Sequence, residues 1–146
     1  MLLSNDNTTY RPIPISAKGC GNVADWASEG EVAKYLQDFK ALVTQGRFTL
    51  FRTKKFLDSV ARHHLDPASD PHEVLMGLAV RDYFNGPEDD RDRIGEKLWE
   101  FGPDLDLGDY DLKLYVKLKI DHVNSYAVCF GFHEAEKPIT YPYRKP

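Results

Sequence analysis

The 146-residue sequence predicts an α+β fold, with N-terminal helices packed on one face of an antiparallel β-sheet. Three observations predict it. Apolar residues recur at helical spacing through Val32, Tyr35, Leu36, Phe39, Leu42 and Val43. From Leu112 to Ile120 every even position is apolar, while the odd positions are Lys113, Tyr115, Lys117 and Lys119. That alternation marks a strand with one buried side. A second strand-like run, Tyr126 to His133, follows across Asp121 to Ser125, which reads as a hairpin loop.

The elements are expected in the following order. Residues 1–28, broken by Pro12, Pro14, Gly19 and Gly21, read as an irregular N-terminal arm. Residues 29–146 read as one domain, since this length buries a single core. Ser28 and Glu31 form a capping-box pair at the first helix, and Gly46 closes it. A short extended piece follows over residues 47–51. Thr53 caps a second helix carrying Phe56, Leu57, Val60 and Ala61. Asp70, Pro71 and Glu73 signal a third helix running through Leu78, with residues 79–85 either extending it or forming a separate helical turn. Gly86-Pro87 is expected to break the chain before a charged loop, Glu88 to Arg93. Leu98 to Phe101 reads as a short strand and Pro103 to Gly108 as a turn-rich connection. The Pro- and Tyr-rich tail from Glu134 is expected to lie over the sheet edge.

Composition narrows the function classes. Hydrophobic residues make up 42% and charged residues 29%, with a net charge of −4. That balance fits a globular domain and opposes broad, non-specific nucleic-acid binding, which needs a basic field. A local basic patch remains compatible with RNA. No apolar run approaches a membrane span, and Met1 to Asp6 lacks the basic start and apolar centre of a secretion signal. A cytoplasmic location with no membrane association is therefore expected. Cys20 and Cys129 match no metal spacing, so no metal or other cofactor is expected. Cys129 reads as a small sheet or core residue rather than a nucleophile.

The strand pattern places chemistry on one face. If the apolar sides share a core, the opposite face holds Lys113, Tyr115, Lys117 and Lys119, with Ala127, Cys129, Gly131 and His133 from the partner strand. Pairing Ile120 with Tyr126 would set Gly131 opposite Tyr115 and Cys129 opposite Lys117. The result is a shallow cationic floor suited to phosphate, beside a histidine that titrates near neutral pH. Metal-free RNA cleavage needs a base for the 2′-hydroxyl, an acid for the leaving oxygen and cations for the developing charge. Arg91 and Arg93 add two guanidiniums that can grip phosphate. The competing reading makes the lysines a solvated, edge-protecting face and the charged loop an internally paired one. Trp99 and Phe101 read as core, with a stacking platform as the alternative. His63 and His64 are expected at the surface without a role, and His122 in a loop.

Several of these residues fall in a familiar order. Gly77-Leu78, Asp82-Tyr83-Phe84, Trp99, Leu114-Tyr115-Val116-Lys117 and Phe130-Gly131-Phe132-His133-Glu134 resemble the signposts of MqsR-type toxins over roughly residues 35 to 143. The resemblance implies a RelE-like sheet, an endoribonuclease that cleaves mRNA, and a cognate antitoxin that binds DNA, of helix-turn-helix type. Of the family's active-site signposts only the strand tyrosine carries over, as Tyr115. Asn85 stands at the family's lysine position and Glu100 at its glutamine position. With that resemblance, the expected catalytic residues are Tyr115, Lys117, His133, Glu100 and Arg91. Lys113, Lys119 and Arg93 are expected to bind RNA. The rival expectation is a non-catalytic module that uses the same fold to hold a protein partner or RNA.

Overall fold

The computed structural model of the protein describes residues 26–144. The arm expected over residues 1–28 therefore lies outside the described residues up to position 25, as does Cys20. Helix α1 spans Glu29–Thr44. The Ser28 hydroxyl accepts from the Glu31 amide at 3.1 Å, and the Glu31 carboxylate accepts from the Ser28 amide at 2.8 Å. This reciprocal cap satisfies two orphan donors at the helix start. The helix turns Val32, Tyr35, Leu36, Phe39 and Val43 into the core. Strand β1 is Phe48–Leu50. Helix α2, Lys54–His63, is capped by the Thr53 hydroxyl, and His64 ends it in the left-handed conformation. Helix α3 covers only Asp70–Met76. Its expected extension to Leu78 is replaced by a break at Gly77 and a short 3₁₀ turn, Val80–Asp82.

The remaining strands are β2 (Tyr83–Asp89), β3 (Lys97–Phe101), β4 (Asp104–Asp106), β5 (Asp111–Asp121) and β6 (Tyr126–Glu134). They form one six-stranded sheet in the order β1-β6-β5-β3-β2, with β4 pairing β5. The expected antiparallel sheet is corrected in one respect. β1 runs parallel to β6, so the sheet is mixed. Three residues between two helices carry too little pattern to reveal the direction of their pairing.

β2 corrects a second expectation. Residues 83–85, expected to be helical, and the expected break at Gly86-Pro87 with the start of the charged loop instead form one strand that runs through Gly86-Pro87 to Asp89. It sits at the sheet edge, where a missing proline N–H breaks no ladder. Gly86 absorbs the irregularity with φ of +116° and close approach to β3. A Cβ at this position would lie 2.6 Å from the Leu98 carbonyl oxygen and 2.9 Å from the Trp99 Cα. Gly86→Ala is therefore expected to destabilise the fold by on the order of 3 kcal/mol. A urea unfolding curve with an unchanged slope and a lower midpoint would record it.

A third correction concerns β6. Leu112, Leu114, Val116, Leu118 and Ile120 of β5 are buried, as the alternation predicts. On β6 the expected inward set was Tyr126, Val128, Phe130 and Phe132, yet Ala127, Cys129 and Gly131 are buried and only Phe132 of that set joins them. The cause is a bulge. Lys117 pairs with Gly131 and Leu118 with Cys129, leaving Phe130 as the extra residue. One inserted residue reverses which side chains face the core on either side of it. The expected register shifts accordingly. Ile120 faces Ala127 rather than Tyr126, and Tyr115 faces His133 rather than Gly131.

The core lies between α1, α2 and one sheet face. Tyr35 stacks on Trp99 at 4.3 Å, and Phe56 meets Phe132 edge-on at 5.9 Å. Trp99 and Phe101 are thus core residues and not a stacking platform. The tail, expected over the sheet edge, reaches the connection between β3 and β4 and the residue that precedes β2. Tyr141 donates to the Gly102 carbonyl at 2.5 Å, and Arg144 pairs with Asp82 and Asp104, each at 3.0 Å. Among the described residues no helix is long and apolar enough to cross a membrane.

Candidate active site

Four strands bring one row of polar side chains together on the sheet face opposite the helices. The register sets Asn85 of β2 against Glu100 of β3, Glu100 against Lys117 of β5, and Lys117 against Gly131 of β6. Tyr115 and His133 form the neighbouring pair. Glu100 is the centre of the group. It is only 7% exposed, an unusual burial for a carboxylate, and its partners account for it. Oε1 accepts from the Asn85 amide at 3.0 Å. Oε2 accepts from the Tyr115 hydroxyl and lies 3.7 Å from the Lys117 ammonium. Asn85 also donates to Glu88 at 3.2 Å, so one amide group links two carboxylates.

His133 completes the group. Its ring packs on Tyr115 with centroids 5.1 Å apart. Its Nδ1 lies 2.8 Å from the Glu134 carbonyl oxygen. A carbonyl can only accept, so Nδ1 carries the hydrogen. In the neutral ring Nε2 is then the acceptor nitrogen. Phe84 contacts the far side of the group, 6.1 Å from the Tyr115 ring. Phe130, expected in the core, lies instead beneath Lys117 and Lys119, each ammonium 5.5 Å from its ring. Such cation–π contacts hold the lysine stems along the sheet.

The sequence-derived candidates divide into two groups. Tyr115, Lys117, His133 and Glu100 come together. Lys119 is drawn away, pairing with Glu96 at 2.6 Å and Asp90 at 3.3 Å. Burial pulls its ammonium pKa down, and the two carboxylates more than offset this, holding it above the ordinary value. Lys113 pairs with Asp104 at 2.8 Å and donates to Tyr141 at 2.9 Å. It is likewise held high by these partners against burial. Arg91 and Arg93 are exposed on the turn between β2 and β3, with Arg93 3.9 Å from Glu96. Among the described residues, neither arginine makes an ion pair or hydrogen bond with Glu100. The expected cationic floor is therefore narrower than the lysine pattern implies, with Lys117 its cation nearest Glu100.

Cys129 leaves the lysine face altogether. Its thiol is fully buried, and burial pushes its pKa up to about 12, so it is inert as a nucleophile. Phe84 belongs to the site although no sequence pattern marks it beyond its place in the Asp82-Tyr83-Phe84 step, and Asn85, noted in the sequence only for standing where MqsR-type toxins carry a lysine, joins it. Among the described residues, no three His, Cys, Asp or Glu side chains form a metal-holding group.

A second cluster adjoins the first through Glu134. His63, expected at the surface without a role, has a side chain only 10% exposed. Its Nδ1 lies 2.7 Å from the Tyr110 hydroxyl and its Nε2 2.9 Å from Glu134 Oε1. Arg62 reaches the same oxygen at 3.0 Å, and Ser59 accepts from the Glu134 amide at 2.9 Å. The hydrogen bond from His63, with help from Arg62, holds the Glu134 carboxyl below the usual range. A depressed carboxylate contributes stability above its unfolded pKa and loses it as pH falls through the folded value. Stability should therefore decline as pH drops through and below about 4. Glu134→Gln should flatten that decline in parallel urea titrations across the acid range.

No family model matches the chain, and neither a curated protein nor a solved structure matches it.

Proposed function

We propose that the protein is an mRNA-cleaving toxin of a type II toxin–antitoxin pair, with a RelE-like fold similar to the MqsR-type toxins. It acts in the cytoplasm and needs no metal. Its partner is a cognate DNA-binding antitoxin of helix-turn-helix type. The observation that carries this reading is the nearly buried Glu100, joined to the Tyr115 hydroxyl and flanked by Lys117, with His133 packed on Tyr115. These are the groups that transesterification of RNA requires.

In the proposed step the Tyr115 oxygen takes the proton of the substrate 2′-hydroxyl while passing its own proton to Glu100. The 2′-oxygen forms a bond to phosphorus, and the bond from phosphorus to the 5′-oxygen breaks. Protonated His133 gives the Nε2 proton to that leaving oxygen. Lys117 stabilises the charge that builds on the phosphoryl oxygens. The relay explains how a shielded carboxylate acts on a substrate it does not touch. Induced expression in bacteria should arrest growth and deplete mRNA, while the Tyr115→Phe chain at equal soluble level should not. Equal growth with both would remove this reading.

One observation favours the rival, a non-catalytic module that holds a protein partner or RNA. Lys113, Lys119 and Arg93 all face carboxylates of the same chain, which leaves little free positive charge for RNA. A soluble protein that binds a partner from the same operon tightly, yet spares all RNA, would favour it.

A further inference from the structure

The acid–base group does not end at His133. That residue also lines a surface cavity of about 210 Å³ between α2 and the end of β6. The cavity walls carry Lys55, Asp58 and Arg62 from the helix and Glu134 and Glu136 from the strand side. Two permanent cations thus face three carboxylates, so the cavity offers donors and acceptors without a positive field. A phosphate is poorly served there. A neutral group with mixed hydrogen-bonding edges is well served, and an unstacked nucleobase is such a group.

Two features fit the cavity for this task. The Lys55–Glu136 pair spans 3.0 Å with both side chains 59% exposed, so it opens readily for a ligand. Glu134, by contrast, is fixed. Ser59 holds its amide, and Arg62 and His63 both bind Oε1. Oε2 keeps its capacity to accept from a ligand. His133 adds an aromatic ring at the boundary with Tyr115.

We infer that this cavity is a nucleobase subsite, which seats the base next to the cleaved bond while Lys117 meets the phosphate. The inference rests on the RNA-cleavage reading for its place in the reaction, but base binding can be measured without any cleavage. The four ribonucleosides and inorganic phosphate are titrated separately into ¹⁵N-labelled protein, reading the amides of Ser59, Arg62 and Glu134. At least one nucleoside should shift them saturably, and Glu136→Gln should weaken that binding about five-fold or more. Inorganic phosphate should leave those amides in place. Phosphate shifting them while no nucleoside does, or no nucleoside moving them at all, overturns the subsite.

Cleavage gives a second readout. An oligonucleotide lacking the base beside the cleaved bond should show a KM raised about ten-fold, with equal KM counting against the subsite. Saturable nucleoside binding in a protein that cleaves no RNA leaves the subsite standing and removes the cleavage reading.

Discussion

Glu100→Gln is expected to lower the rate of RNA cleavage by at least about 100-fold with the fold retained. Glutamine preserves the shape of the side chain and still accepts from Asn85, whose amide lies 3.0 Å from Oε1. What it loses is the ability to take a proton. The effect should fall on kcat, because in the proposed relay the nearly buried Glu100 acts through the Tyr115 hydroxyl. A urea midpoint close to that of the parent chain would confirm that the loss is chemical. A midpoint shifted by several kcal/mol equivalents would instead assign Glu100 a structural role.

Tyr115→Phe is the second large expected effect, about 100-fold in kcat. The ring keeps its contacts with His133 and Phe84, and only the hydroxyl joined to Glu100 is removed. In the proposed relay the two groups act as one, so their losses should not add. The double variant should cleave about as slowly as the slower single variant. Multiplication of the two losses would show that Tyr115 and Glu100 act independently.

Much of the architecture was legible in the sequence, for identifiable reasons. The capping residues Ser28 and Thr53 mark their helices because each side chain satisfies a specific orphan amide. β5 was legible because one face is buried along its whole length, which leaves an unbroken period of two. β6 was not, because the bulge at Phe130 carries no local signature. The pattern of large residues at even positions mimics an inward face, while the small Ala127 and Cys129 are the ones that fit under the helices. β2 was hidden by Gly86-Pro87, a pair that signals a break unless the strand lies at an edge.

The site divides along the same line. Tyr115 and Lys117 follow from the alternation of one strand. Their meeting with Glu100 depends on the pairing of β3 with β5, and a register is not written in either strand alone. The capture of Lys119 by Asp90 and Glu96 depends on how the charged turn folds back over the sheet. The sequence shows those acids as neighbours of Arg91 and Arg93, whereas the structure spends them on a lysine more than twenty positions away. His63 lacks any sequence signal, since its partners Tyr110 and Glu134 come from distant segments.

The most direct test of the account is incubation of purified protein with mixed-sequence RNA in the presence of a strong chelator, followed by analysis of the product ends. The account predicts cleavage that survives chelation and leaves 2′,3′-cyclic phosphate on one fragment and a 5′-hydroxyl on the other. RNA left intact by folded protein, or products ending in 3′-hydroxyl and 5′-phosphate, would contradict it.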